Sequence, residues 1–260
     1  LLHFRIECAI RGEGPLGGGT VIHATGTVQR ALIVLNGEDD QQDAINKTFE
    51  DHFQYRSEGE SSWDIVDEYI PSGHNIVQVA PVRGLAIGDT VILEQRMNQE
   101  WVRILGMDDF PLRPDGKPGQ PWDPIDFVFQ FERTIENIEG GRIQLSASLV
   151  NPIFSRFGEN RLFKPKLPKR IRQSGVENLR LVSEYRATEN GQDENHAWDG
   201  VKIDRAQDCW VRAVTTVHFA QSTVAVGSEA KQITVEDCAY LKPVAGFAYG
   251  RRHGFINAGQ

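Results

Sequence analysis

Short runs in which apolar side chains alternate with polar ones dominate the last third of the chain. VENLRLVS from Val176, AQDCWVRA from Ala206 and AKQITVED from Ala230 lie over one another. Leu179, Cys209 and Ile233 then share one column, and Leu181, Val211 and Val235 a second, at offsets of 30 and 24 residues. β-rich units recurring every ~20–50 residues predict a solenoid, because each unit buries its apolar face only by stacking on the next. The same comparison sets Val201 with Val224 and Phe255, and Ile203 with Val226 and Asn257. The three-residue steps from Val211 to Val214 and from Val235 to Cys238 predict bends between strands.

Elsewhere the pattern changes. Residues 1–35 and 151–260 read as coils of one parallel stack. Residues 36–74 are acidic and polar and read as an excursion, with a short helical turn near 41–52. Residues 75–150 read as an inserted antiparallel module. Its clearest element is FVFQFERTIENIEGGRIQLSASL, a hairpin turning at Gly140 and Gly141. Both ends of the chain read as strands under way, as expected of a piece of a longer protein. Long helices are not expected. The fold class is therefore all-β: a right-handed, single-stranded parallel β-helix carrying an antiparallel β module.

Composition narrows the function. The 260 residues are 40% hydrophobic and 25% charged, as in soluble globular proteins. A net charge of −8 argues against nucleic acid held through a basic field. No apolar run approaches the ~18 residues of a membrane span. Cys8, Cys209 and Cys238 show no disulfide or zinc spacing. Cys209 and Cys238 read as small apolar residues inside the coils. GEGPLGGG lacks the Gly-Lys-Ser/Thr end of a phosphate loop, and NGEDDQQD lacks the spacing of a calcium loop.

The segments IRGEGP, GDTVIL with MNQEWV, SGVENLRL, AKQITVEDC, NHAWDGVKID and GRRHGFINAGQ together resemble the pectate-lyase-like superfamily. The nearer likeness is to bacterial secreted β-helix proteins that act on polysaccharides. The resemblance implies a secreted or periplasmic setting, a polysaccharide partner and, in some similar lyases, calcium held by scattered acids. It does not select among lyase, hydrolase, epimerase and tailspike.

Candidate chemistry clusters near the last coils. GQDENHAWDG brings Asp193, Glu194, His196 and Asp199 within seven residues. It reads either as an acid, base or metal cluster or as a hydrated loop ending in an Asp-Gly turn. Asp199, Ser222 and His253 each precede an aligned strand and are expected to form one polar column. Asp199 and His253 would lie about two coils, ~10 Å, apart. Elimination from a uronic acid needs a cation for the carboxylate, a base and a proton donor. The leading reading is a polysaccharide lyase acting on an acidic, uronic-acid-containing glycan, with Asp199, His253, Arg252 and His196 as the catalytic candidates. Arg251, Trp198, Lys169 and Arg170 are the candidates for holding the substrate, since guanidinium forks suit carboxylates and an indole suits a sugar face. A glycoside hydrolase would need two carboxyls about 5.5 Å or about 6.5–9.5 Å apart. A non-catalytic glycan-binding or structural β-helix is the remaining alternative.

Overall fold

The structure, a computed structural model, describes residues 2–4, 7–37, 55, 57–186, 192–247 and 251–259. The helical turn expected near 41–52 falls outside them. The strands in chain order begin with β1 (Leu2–Phe4), β2 (Ala9–Arg11), β3 (Val21–Ala24) and β4 (Arg30–Asn36). Next come β5 (Ser57–Asp64), β6 (Tyr69–Ile70), β7 (Ile76–Gln78), β8 (Thr90–Met97), β9 (Val128–Glu139), β10 (Arg142–Leu145), β11 (Ile153–Phe154) and β12 (Gly158–Pro165). The last are β13 (Ile171–Arg172), β14 (Gly175–Ser183), β15 (Ala197–Asp204), β16 (Ala206–Val217), β17 (Ser222–Val226), β18 (Lys231–Glu236), β19 (Ala239–Leu241) and β20 (Gly254–Asn257).

The chain divides into two compact units, residues 1–53 with 168–260 and residues 54–167. The first unit is built on two parallel sheets. One runs β1, β4, β15, β17, β20, and the other joins β2, β3, β13, β18 and β19 around β14 and β16. From β15 onward the chain alternates between the sheets, so each coil adds one layer to both. Parallel pairing with both ladders satisfied explains the runs of Val, Ile and Leu, which pack inside the coils. Leu2, Ile33, Val201, Val224 and Phe255 form one column, with all register pairs parallel. Ile33, Val201, Val211, Leu181 and Phe219 are fully buried, each worth roughly 1.5–3 kcal/mol by area.

The bends foreseen in the second sheet have a simple backbone origin. Gln173, Asp208 and Gln232 have φ of 48°, 54° and 55°, and the ladder register makes them lateral neighbours. Five residues on, Asn178, Ala213 and Asp237 repeat this at 57°, 48° and 53°. One left-handed residue turns the strand without interrupting hydrogen bonding on either side. For an L-residue it costs roughly 1–2 kcal/mol.

Two sequence readings are corrected here. Cys209 does stack on Ile233, and Val211 on Val235, but Leu179 stacks on Val214 and Leu181 on Thr216. Leu-x-Leu and Cys-x-Val share one spacing, so the comparison slipped by five residues. The boundaries also differ. β5 and β12, within stretches assigned to the excursion and to the coils, pair antiparallel with each other in the second unit.

That second unit is an antiparallel sheet, in the order β5, β12, β8, β9, β10, β7. Gly140 and Gly141 turn the β9–β10 hairpin at φ of 56° and 92°, the left-handed pair that a two-residue turn demands. Its α-helix, α1 (Gln99–Ile104), is capped by the Asn98 side chain, which accepts from the Trp101 N–H at 3.1 Å. Trp101 packs with Trp122 and Phe127. One face of the sheet is apolar, through Val91, Leu93, Ile135 and Leu162. The other carries Glu94, which is buried and accepts from Arg96 at 2.7 Å, Arg161 at 2.8 Å and Gln130 at 2.6 Å.

Candidate functional site

The loop entering β15 and the segment entering β20 meet at one corner of the coils. Glu194 holds them together. Its carboxylate accepts from Arg251 Nε at 2.6 Å and from the Gly246 N–H at 3.0 Å. Its backbone carbonyl accepts from Trp198 Nε1 at 3.0 Å and from Gln29 Nε2 at 2.9 Å. The Arg251 guanidinium lies 5.0 Å from the centroid of the Trp198 ring. Next to it in sequence, the Arg252 guanidinium sits 4.0 Å from the centroid of the Phe247 ring. Arg252 also donates through Nη2 to the Ala245 carbonyl. Phe247 is 83% exposed, so its ring offers an open face to solvent. Two cation–aromatic pairs thus share one corner, each worth roughly 0.5–2 kcal/mol according to its desolvation.

Of the catalytic candidates Arg252 lies there, but Asp199 and His196 are turned inward. Asp199 alternates with Val201 and Ile203, so its side chain turns into the coil interior. Its Oδ1 accepts from the Ser222 hydroxyl at 2.6 Å. Burial pushes its carboxyl up to about 6, opposed in part by the Ser222 hydrogen bond and by Lys202. Asp199 and Ser222 are neighbours in register as expected, but the third member of the column is Gly254, not His253. A bulge between Ser222 and Val224 shifts the pairing by one. His253 is exposed.

His196 is fully buried. Its Nε2 lies 2.8 Å from the His218 carbonyl, which can only accept, so that nitrogen carries the proton. Among the described residues its Nδ1 has no hydrogen-bond partner, and it stands 4.0 Å from Asp193 Oδ2. Asp193 closes the loop by accepting from the Arg186 and Asn195 N–H groups at 2.8 Å. Burial raises its pKa, but those two bonds and the nearby His196 and Arg186 outweigh it and hold the carboxyl below its usual range. His218 packs edge-on against Tyr185 at 4.9 Å, and burial with Lys242 nearby lowers its pKa. Asp193 and His196 therefore organise the loop from inside, with the His218 backbone carbonyl as the partner of His196.

The basic run is dispersed. Lys164 pairs with Asp89 at 2.8 Å in the second unit. Arg170 donates to the Glu229 carbonyl at 2.7 Å, and Arg172 lies 3.9 Å from Asp208. Lys169 is exposed beside this segment. Among the described residues no three His, Cys, Asp or Glu side chains gather closely enough to hold a metal ion. No helix among them is long and apolar enough to cross a membrane. A cavity of about 510 Å³ lies at the last coil among Val224, Val235, Cys238 and Phe255, away from the arginine corner.

Sequence reasoning singled out Arg251, Trp198 and Arg252 but missed Phe247 and the organising role of Glu194. The signal for Phe247 was an aromatic ring in a Gly- and Pro-containing turn, where burial has no use for it.

No family model and no curated protein matches the chain. The solved structures it resembles include three tailspikes, each only slightly similar. The tailspike gp61 of Pseudomonas phage phi297 is 12% identical at a TM-score of 0.32, over 94% of this chain and 37% of that one. The gp54 tailspike of Acinetobacter baumannii bacteriophage AP22, in complex with A. baumannii capsular saccharide, is 9% identical at 0.33, over 92% and 43%. The tailspike gp49 of Pseudomonas phage LKA1 is 8% identical at 0.33, over 92% and 45%. The chain spans less than half the length of each of these tailspikes, and likeness this slight fixes neither fold nor function.

Proposed function

We propose that this chain is a carbohydrate-active β-helix protein that binds an acidic polysaccharide at the arginine corner. The observation that carries the reading is the pairing of Arg251 with Trp198 and of Arg252 with Phe247, two guanidiniums on two aromatic rings at one edge of the coils. Flat aromatic faces suit the C–H face of a sugar, and guanidinium groups beside them suit its carboxylate. Binding is favoured over cleavage at this corner. Asp199 is turned inward onto Ser222, and His196 is spent on a backbone carbonyl. In the same proposal the coils wind right-handed as a single β-helix, the hand that parallel crossovers overwhelmingly take. The setting is secreted or periplasmic, where polysaccharide is met.

The test is affinity of the 260-residue chain for uronic-acid polysaccharides against neutral ones. Acidic glycans are expected to bind more tightly, and Phe247→Ala or Trp198→Ala to weaken that binding about tenfold, or roughly 1.4 kcal/mol. Equal affinity for acidic and neutral glycans, or variants that bind like the parent, would remove the corner from the account. Ultraviolet absorbance of an unsaturated product during the same incubations tests the lyase alternative, and none is expected.

A further inference from the structure

A second aromatic platform stands on the outer face of the second parallel sheet. One column there reads Ala9, Gly175, Trp210 and Thr234 across four neighbouring strands. Cys209 and Val211 on either side of Trp210 point into the core, so the indole leaves it. It lies flat on Gly175. A Cβ at that glycine would stand 2.1 Å from Trp210 Cε2 and 2.3 Å from Nε1. Gly175 is buried although its place in the column faces outward, because the ring covers it.

The ring is not held by its polar handle. Trp210 Nε1 has no hydrogen-bond partner among the described residues, whereas buried indoles ordinarily donate. Packing of the ring face against the backbone decides its position. Ala9 and Thr234, the flanking positions, are small and exposed, so no bulky side chain in this column walls in the ring.

Two residues further along these strands runs a column of alternating charge, Arg11, Glu177, Arg212 and Glu236. Arg11 meets Glu177 at 3.5 Å and Arg212 meets Glu236 at 2.5 Å. Each pair offers donors and acceptors together, and the column sums to no net charge. Columns spaced ~4.8 Å from strand to strand are on the scale of one sugar ring.

We infer that Trp210 is the floor of a subsite for a neutral pyranose unit of a polysaccharide, with Arg212, Glu177 and Glu236 reaching its hydroxyls. This rests on the polysaccharide reading above but uses a different face and a different charge. A ring lying on a flattened glycine gives the C–H face of a sugar an apolar surface. The balanced Arg and Glu column gives an anionic sugar no advantage there.

The test is a magnetic resonance titration of the isotope-labelled 260-residue chain, following the indole N–H signals. The probes are cellohexaose, maltohexaose and mannohexaose as neutral ligands and oligogalacturonate as the acidic one. Loss of one signal in Trp210→Phe assigns Trp210. The Trp210 signal is expected to move saturably with a neutral hexasaccharide and not with oligogalacturonate. Trp210→Ala should weaken the neutral ligand about tenfold. A Trp210 signal that none of the neutral probes moves overturns the inference, and needs no variant to fold. Unchanged affinity in Trp210→Ala overturns it as well. If Trp210 responds to neutral sugar while Trp198 ignores oligogalacturonate, the arginine corner fails and this subsite stands.

Discussion

Ser222 donates its hydroxyl to Asp199 at 2.6 Å from the next coil, inside the stack and on the same column as Val224 and Val201 two residues on. A carboxyl there is neutral at low cost and charged only at high cost. Its folded pKa of about 6 stands above the ordinary 3.8. The folded chain therefore holds the proton longer than the unfolded chain does. Stability from this group is complete below the unfolded value and declines as pH rises through about 6, by about 3 kcal/mol for a shift of this size. Asp199→Asn keeps an acceptor for Ser222 and removes the titration. Denaturant melts at several pH values should show the variant gaining on the parent between acid and neutral pH. A constant difference across that window would place Asp199 in contact with solvent.

Glu94 in the antiparallel unit has the opposite slope. Burial would raise its pKa, but hydrogen bonds from Arg96 and Gln130 and the charge of Arg161 outweigh this and lower it. Its contribution is present at neutral pH and is lost as pH falls through the depressed value. Glu94→Gln should cost about 2 kcal/mol near neutrality, since it leaves two half-exposed guanidiniums without their shared carboxylate. The same melts at acid pH should bring variant and parent together.

Ala213 carries a φ of 48° in a column shared with Asn178 and Asp237. Asn and Asp tolerate the left-handed region, whereas alanine has no local hydrogen bond to offset it. Ala213→Gly should stabilise the chain by about 1 kcal/mol in equilibrium unfolding, net of the entropy that glycine adds to the unfolded state. Destabilisation instead would mean that the alanine methyl is packing against a neighbour.

The first parallel sheet was legible because, beyond the bulges at its entry, its strands alternate regularly. Val201 and Ile203 meet Val224 and Val226, which in turn meet Phe255 and Asn257, as two-residue spacing requires. The second sheet was harder. Each left-handed residue adds one position to the alternation, so Leu179 and Leu181 matched the wrong pair of β16 residues. The same alternation carried information about Asp199 that went unused: two residues before Val201, it had to point inward. β5 was illegible because SEGESSWD offers one apolar anchor, Trp63, whose Nε1 donates to the Arg83 carbonyl at 2.8 Å. At the arginine corner, charge and aromatic content announced Arg251 and Trp198. The tie through Glu194 joins residues 57 apart and has no sequence signature.

The column that sets Ile33 beside Val201 separates chain order from spatial order. Adjacent rungs recognise each other sideways, through hydrogen bonds and matching side chains, and not through the length of peptide between them. The closure entropy of an intervening segment grows only with the logarithm of its length, about 0.6 kcal/mol per doubling. The junction after β4 is therefore a place where added chain length costs little. Segments of very different size can be exchanged there while every lateral neighbour keeps its address, which lets such a scaffold acquire new modules without redesigning its own walls.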